Sequence, residues 1–123
     1  MKEIIAIIRP KKVGPTKDAL EKLGFPSITA SQVLGRGRQR GIAGELSIEV
    51  SAELMALGRS SGMKYIPKRL LNVVVPSADV DLVVKTIISI NQTAQVGDGK
   101  IFICPMDDAI RVRTNEEGES AIK

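Results

Sequence analysis

The stretch LLNVVVPSADVDLVVKTIISIN, residues 70–91, joins two hydrophobic patterns of different period. Residues 70–75 form a short apolar run, which is typical of a strand buried in a sheet. Ser77 predicts a helix N-cap, and Asp79 and Asp81 would be favourable in the first helical turn. The apolar face of this helix would carry Val80, Val83, Val84, Ile87 and Ile88. The stretch therefore predicts a strand followed by a helix that packs on a sheet.

The beginning of the chain repeats this order. Residues 4–8 are a continuous apolar run, which predicts a strand buried on both faces. Pro15 occupies a favourable first helical position, and residues 28–34 and 101–104 predict two further strands. The apolar spacing of the intervening helix is given by Thr16, Ala19, Leu20 and Leu23.

Two strand–helix–strand units side by side predict an α/β (α+β) fold, a ferredoxin-like βαββαβ two-layer sandwich. The 123 residues fit a single domain over 1–123. A long effector loop, about 36–66, would separate strands 2 and 3. The alternating residues 110–113 predict a short extra C-terminal strand with Arg111 and Arg113 on one side, followed by a polar tail at about 114–123.

Composition removes several classes of protein. Hydrophobic residues make up 43% and charged residues 26%, which is typical of a soluble globular domain. We expect a cytoplasmic location without membrane insertion, because no apolar run is long enough to span a bilayer and no signal peptide is evident. With one cysteine and no histidine, the chain lacks the residues for a disulfide, a Cys/His zinc site or a histidine triad. Cys104, before a proline, is expected to be a buried structural thiol.

The charge leaves the class of partner open. A net charge of +4 is compatible with an acidic partner, but two Phe, one Tyr and no Trp provide few surfaces for stacking unpaired bases. We therefore expect no nucleic-acid partner. A nucleic-acid-binding ferredoxin-like module stays an alternative, since such sheets and Arg/Gly turns are used there. A small phosphohydrolase is a third hypothesis.

Two glycine-rich stretches are candidates for anion binding. VLGRGRQRG, residues 33–41, interleaves glycines with arginines, and VGDGKIF, residues 96–102, contains a tight turn whose backbone N–H groups could surround a phosphate. Asp98 could equally cap its own turn. By default, Lys68 is a solvated lysine. Together with the glycine turns, the cations suited to a triphosphate are Arg38, Lys100, Arg111 and Arg113.

No carboxylate cluster that would hold a catalytic metal accompanies these cations in the sequence. The residues therefore favour binding of a triphosphate without turnover, and the protein is not expected to be an enzyme.

The motifs VLGRGRQRG (33–41), TAQVGDGKIFICP (93–105) and IRVRT (110–114), with Pro67 and Lys68 before a Val-rich strand, resemble the PII signal-transduction family. The resemblance runs nearly end to end, and the TxxxGDGKIF pattern is highly specific. GRGRQRGIAGEL and the enlarged loop are similar, more narrowly, to the nitrogenase-associated branch, in particular to the longer-loop member of the pair.

This resemblance implies a homotrimer that binds ATP or ADP in clefts between neighbouring subunits. On the adenine side it implies Ile7, Thr29, Gly35 and Val74. For ribose and phosphates it implies Gly37, Arg38, Gln39, Gly97, Asp98, Gly99 and Lys100, with Arg111 and Arg113 supplied by the adjacent chain.

It also implies a second effector, 2-oxoglutarate, held by Gln39, Arg40, Gly41 and Lys68, with Mg²⁺ shared between Gln39 and ligand oxygens. Effector occupancy would set the conformation of the loop. The implied partner is the dinitrogenase component of nitrogenase, bound together with a paired PII paralogue in a higher complex and released by ATP with 2-oxoglutarate. Another nitrogen-metabolism target is the alternative.

Overall fold

The computed structural model describes residues 1–37 and 65–123. In chain order this part contains β1 (Lys2–Ile8), α1 (Val13–Lys22), β2 (Thr29–Gly35), β3 (Ile66–Val75), α2 (Val80–Asn91) and β4 (Lys100–Pro105). Short 3-10 helices occupy Pro10–Lys12, Ser77–Asp79 and Gly118–Ala121. The four strands form one antiparallel sheet in the order β2-β3-β1-β4. The predicted ferredoxin-like fold is confirmed.

The core lies between the two helices and one face of the sheet. In β1 every second residue is buried, with Ile4, Ala6 and Ile8 each only 1% exposed. These side chains cluster with residues of the other elements, namely Leu20, Leu71, Val73, Val75, Val83 and Ile87. The expectation that β1 is buried on both faces is wrong for the single chain, because the helices cover only one face of the sheet.

The opposite face of the sheet carries an apolar patch that is incompletely covered. Directly paired residues share a face, and Ile5 pairs with Asn72 on one side and Phe102 on the other. Ile7 pairs with Leu70, and all these side chains are half-buried or exposed. Phe102 is 45% exposed. We call the apolar surface formed by Ile5, Ile7, Leu70, Val74 and Phe102 the open sheet face.

Helix starts differ from the sequence prediction at both helices. Pro15 is the third residue of α1, because a 3-10 turn at Pro10–Lys12 already leads into the helix. Ser77 lies within a 3-10 helix and makes no side-chain cap, since Pro76 accepts the turn-closing bond from the Asp79 amide at 2.9 Å. The N-cap prediction at Ser77 was therefore wrong.

A buried polar pair joins the two helices. Thr16, fully buried in α1, donates its hydroxyl hydrogen to the Lys12 carbonyl at 2.7 Å and accepts a bond from the Asn91 amide at 3.0 Å. Asn91, at the end of α2, also donates to the Ile87 carbonyl at 2.8 Å. These bonds fix the position of the two helices relative to each other.

The predicted extra C-terminal strand is absent from the described part of the chain. Ile110 makes only an isolated bridge with Glu117, and a turn follows at residues 112–114. The Arg111 amide donates a hydrogen bond to the Glu116 carbonyl at 2.9 Å. This backbone N–H group therefore has a local partner and does not need a neighbouring strand. Cys104, on the edge strand β4, is half-buried and not buried as expected.

Within residues 1–37 and 65–123, no helix has the length and apolar character that crossing a membrane requires.

Candidate functional site

The turn between α2 and β4 is closed by the carboxylate of Asp98. Its Oδ2 accepts hydrogen bonds from the amides of Thr93 at 2.7 Å and Ala94 at 2.9 Å, and its Oδ1 accepts a bond from the Thr93 hydroxyl. Ala94 adopts a positive φ of 64°, which these bonds stabilise. The capping interpretation of Asp98 thus accounts for its side-chain contacts.

Arg9, directly after β1, also holds this turn. Its Nη1 lies 2.6 Å from Oδ1 of Asp98, and its Nη2 donates to the Val96 carbonyl at 3.0 Å. The two residues are 89 positions apart in the chain. Arg9 was missed in the sequence. Its place immediately after a strand, at the edge where the turn arrives, is the signal that could have identified it.

The pKa of the Asp98 carboxyl lies well below its ordinary range. The hydrogen bond from the Thr93 hydroxyl is the largest cause, partial burial opposes it, and the Thr93 amide, Arg9 and the Ala94 amide lower the pKa further. Asp98 is therefore a carboxylate at any pH near neutrality. Because its oxygens accept bonds from this turn and from Arg9, it contributes rigidity to the turn.

Two glycines allow the turn to approach the sheet. Gly97 has φ of 99° and Gly99 has φ of 118°, a region that side chains rarely adopt. A Cβ at Gly99 would lie 2.0 Å from the Ile7 carbonyl oxygen. Only glycine fits at position 99, because the backbone of the turn lies directly against β1.

Lys68 meets the same turn from the other side. Its Nζ donates to the Gly97 carbonyl at 2.6 Å, and the residue is only 8% exposed. The expectation of a solvated lysine was wrong, because β3 begins four residues earlier than predicted and places Lys68 within the sheet. An ammonium group buried at this position is positive charge held beside the glycine turn.

A cleft of about 360 Å³ lies at this end of the sheet. It joins the ends of all four strands with the glycine turn, and Lys68 and Lys100 are among its cations. Of the residues predicted for ATP or 2-oxoglutarate, the cleft is lined by Ile7, Gly35, Gly37, Lys68, Gly97, Gly99 and Lys100. Its walls also include Arg36, Ile66, Val96 and Phe102, which were not predicted as site residues.

Other predicted site residues lie elsewhere. Thr29 pairs with Asn72, and Val74 pairs with Glu3, so both lie toward the opposite end of the sheet from the cleft. Arg111 and Arg113 are not among the residues that line the cleft. Asp98 lies behind the turn, in a second, mainly apolar cleft of about 440 Å³ between α2 and β4. Four predicted residues fall outside the described part: Arg38, Gln39, Arg40 and Gly41.

The arrangement is chemically suited to an anionic ligand with an apolar portion. Lys68 and Lys100 provide ammonium groups on one side, and Ile7 and Phe102 provide apolar surface nearby. In the described residues, no group of three or more His, Cys, Asp or Glu side chains could hold a metal ion.

Comparison with known proteins identifies the family. The family model described as "Nitrogen regulatory protein P-II" matches residues 1–116. A Methanosarcina barkeri protein named "Nitrogen fixation nifHD1 region GlnB-like protein 2" is 58% identical over 123 residues and aligns over 100% of both chains. A Methanococcus maripaludis protein named "Nitrogen fixation nifHD region glnB-like protein 2" is 55% identical over 122 residues, which is 99% of this chain and 100% of the relative.

A solved structure agrees in fold. The structure of Arabidopsis thaliana PII bound to citrate superposes with a TM-score of 0.74 at 33% identity, over 99% of this chain and 89% of that one. The chain belongs to the P-II family of nitrogen regulatory proteins, in the nitrogenase-associated branch whose curated relatives are named for the nitrogen-fixation region.

Proposed function

We propose that this protein senses ATP or ADP together with 2-oxoglutarate and regulates nitrogen fixation by binding the dinitrogenase component of nitrogenase. Inhibition would be relieved by 2-oxoglutarate with ATP. The observation that supports this proposal most directly is the cleft in which Lys68, Lys100 and the Gly97–Gly99 turn come together. Membership of the P-II family and the nitrogen-fixation names of the relatives support the regulatory role.

The cleft fits the phosphates of a nucleotide. Lys100 would meet the phosphates as a point charge, while the backbone of Gly97 and Gly99 supplies N–H donors at a turn that tolerates no side chain at 99. Ile7 and Gly35 would lie on the adenine side. Gly37 and Arg38 would complete the binding of ribose and phosphates, while Asp98 would act by fixing the turn.

Lys68 is the proposed anchor for 2-oxoglutarate. A buried ammonium has three donors, and it favours a carboxylate strongly because little water competes for it. Gln39, Arg40 and Gly41 would add further contacts to this effector. A magnesium ion, bound through Gln39 and ligand oxygens, would neutralise phosphate charge and bring the two effectors together.

We further propose a homotrimer in which the open sheet face is the main interface. Phe102 and its apolar neighbours would leave water on assembly. The trimer would also bring Thr29, Val74, Arg111 and Arg113 of an adjacent chain to a cleft that a single chain forms only in part. Assembly would take place in the cytoplasm.

The proposed mechanism is a shift between loop conformations. A ligand changes partner affinity only if it binds two conformations unequally, and the loop begins at residues proposed to contact 2-oxoglutarate. Occupancy would favour a loop state that does not bind nitrogenase. A higher complex with a paired P-II paralogue would present two such loops.

The decisive experiment titrates purified nitrogenase with this protein and its paralogue. We expect inhibition in the presence of ADP, and recovery when ATP and 2-oxoglutarate are added together. Inhibition that does not respond to 2-oxoglutarate would contradict effector control. Binding of both effectors without any effect on nitrogenase would favour another nitrogen-metabolism target.

A further inference from the structure

The side chain of Arg111 forms hydrogen bonds with residues that follow it in the same chain. Its Nη1 lies 2.9 Å from Oε1 of Glu116, and its Nη2 donates to the main-chain oxygens of Ser120 at 3.0 Å and Lys123 at 2.6 Å. Three of the five guanidinium N–H donors are therefore used within the segment of residues 116–123. We call this segment the C-terminal segment.

Arg113, two residues later, provides a contrast. Its side chain is exposed and makes no hydrogen bond or ion pair with any residue in the described ranges 1–37 and 65–123. Both arginines are proposed above to reach a nucleotide phosphate, yet only Arg111 meets a carboxylate and two carbonyl oxygens of its own chain.

We propose that the C-terminal segment is an intramolecular competitor of the nucleotide for Arg111. The Glu116 carboxylate and the two main-chain oxygens occupy the guanidinium edge that a phosphate would bind in a bidentate manner. A nucleotide that recruits Arg111 must displace these acceptors. The inference rests on the proposed function, because it requires that Arg111 contacts the nucleotide.

The main-chain bonds indicate how far the displacement would extend. The Arg111 amide bonds the Glu116 carbonyl, and the Gly118 amide bonds the Ala109 carbonyl at 3.0 Å, without help from the arginine side chain. The hairpin of residues 109–118 can therefore stay closed. Beyond it, the contacts of the Arg111 side chain with Ser120 and Lys123 would be lost, so nucleotide binding would release residues 119–123.

The solvent exposure of Arg111 and Glu116 determines how strongly their ion pair can change nucleotide affinity. The Arg111 and Glu116 side chains are 25% and 43% exposed, so water and salt screen their attraction. An ion pair of this kind changes an equilibrium by about two- to five-fold. The C-terminal segment would tune nucleotide affinity without abolishing binding.

Calorimetric titration of the full-length protein with MgATP tests this competition with Glu116→Gln and the matched control Glu117→Gln. Both variants remove one negative charge, but the Glu117 side chain makes no hydrogen bond or ion pair with Arg111. We expect Glu116→Gln to bind ATP about two- to five-fold more tightly and Glu117→Gln to match the wild type. Unchanged affinity in Glu116→Gln would overturn the proposal, and weaker binding would mean that Glu116 positions Arg111 for the nucleotide.

Hydrogen exchange provides a second readout. We expect saturating ATP to increase amide exchange at residues 119–123 of the wild type and to leave the amides of α2 unchanged. Unchanged or slower exchange there would contradict release of the segment. If the wild type binds ATP but neither readout responds, only the competition fails; if the wild type binds no ATP, the proposed function fails with it.

Discussion

The ammonium group of Lys68, at the beginning of β3, lies 2.6 Å from the carbonyl oxygen of Gly97, in the turn before β4. This bond connects two stretches that are 29 residues apart and places a buried positive charge in the lining of the cleft. Because Arg9, directly after β1, holds the same turn, the geometry of the turn depends on residues in or next to β1, β3 and β4. A ligand that contacts Lys68 would therefore act on a rigid part of the fold.

Replacing Lys68 with alanine should weaken 2-oxoglutarate binding far more than ATP binding. The variant removes the cation proposed to face a carboxylate, while Lys100 is retained and Arg9 and Asp98 still hold the glycine turn. Calorimetry with each effector measures the two losses separately. The exposed Lys85→Ala on α2 removes the same charge elsewhere and should bind both effectors as the wild type does. Equal loss of both affinities in Lys68→Ala would refute the assignment.

Gly99→Ala should destabilise the protein by several kcal/mol. The strained φ alone costs about 1–3 kcal/mol, and the added Cβ would lie 2.0 Å from the Ile7 carbonyl oxygen, so β4 must move away from β1. Urea unfolding measures the loss. Gly14→Ala, in α1 with only chain neighbours near the added Cβ, should change stability by less than about 1 kcal/mol. Similar stability of the two alanine variants would contradict the close approach.

Asp98 should make the protein sensitive to acid. Its folded-state pKa is lowered, so its contribution to stability is complete above the unfolded value of about 3.9 and is lost as the pH falls toward the folded value. Below about pH 4, the free energy of unfolding should decline more steeply for the wild type than for Asp98→Asn. At neutral pH that variant should be the less stable of the two.

The matched control for this carboxylate is Asp107→Asn, since Asp107 is exposed and makes no hydrogen bond or ion pair with residues 1–37 or 65–123. Urea unfolding between pH 3 and pH 7 should give a profile for Asp107→Asn that parallels the wild type. If Asp98→Asn also follows the wild-type profile, Asp98 does not supply the acid-sensitive contribution.

Phe102→Asp should prevent assembly through the open sheet face. A charge placed among Ile5, Ile7 and Leu70 would remain buried and unpaired in an interface. Light scattering should report a monomer, and circular dichroism should report a folded protein, because Phe102 is 45% exposed in the single chain. Val112→Asp, at a residue that is 96% exposed, should keep the wild-type mass. A wild-type mass for Phe102→Asp would place the interface elsewhere.

Local patterns were sufficient for the elements and their order. The continuous apolar run of β1 and the helical spacing of Val83 and Ile87 are local patterns, and the structure contains the strand and the helix that they predict. Which face of β1 is buried was not predicted, because that depends on where the helices pack. The first residues of the two helices were predicted less accurately. Each helix is preceded by a 3-10 turn, at Pro10–Lys12 and Ser77–Asp79, and these turns depend on how the chain leaves the preceding strand.

For the site, the sequence identified the glycine turn, and tertiary structure identified what holds it. The motif at residues 96–102 predicts a tight turn because glycines permit backbone angles that other residues rarely adopt. The sequence did not predict that Arg9 and Lys68 both contact this turn. These contacts join residues 89 positions apart for Arg9 and 29 positions apart for Lys68, and local sequence patterns carry no information on such distant pairs. The extra strand at 110–113 was wrong for the same reason: alternation alone does not supply a partner strand.

The sequence by itself therefore determined the strand–helix order, the family and the position of the glycine turn, because hydrophobic period and glycine conformation are local properties of the chain. Only the tertiary structure decided that Lys68 is buried, that Asp98 caps its turn, and that Arg111 binds the C-terminal segment. Those outcomes depend on which charged groups the folded backbone brings within a few ångströms of each other, and the energy of such pairs is set by their distance and exposure to water.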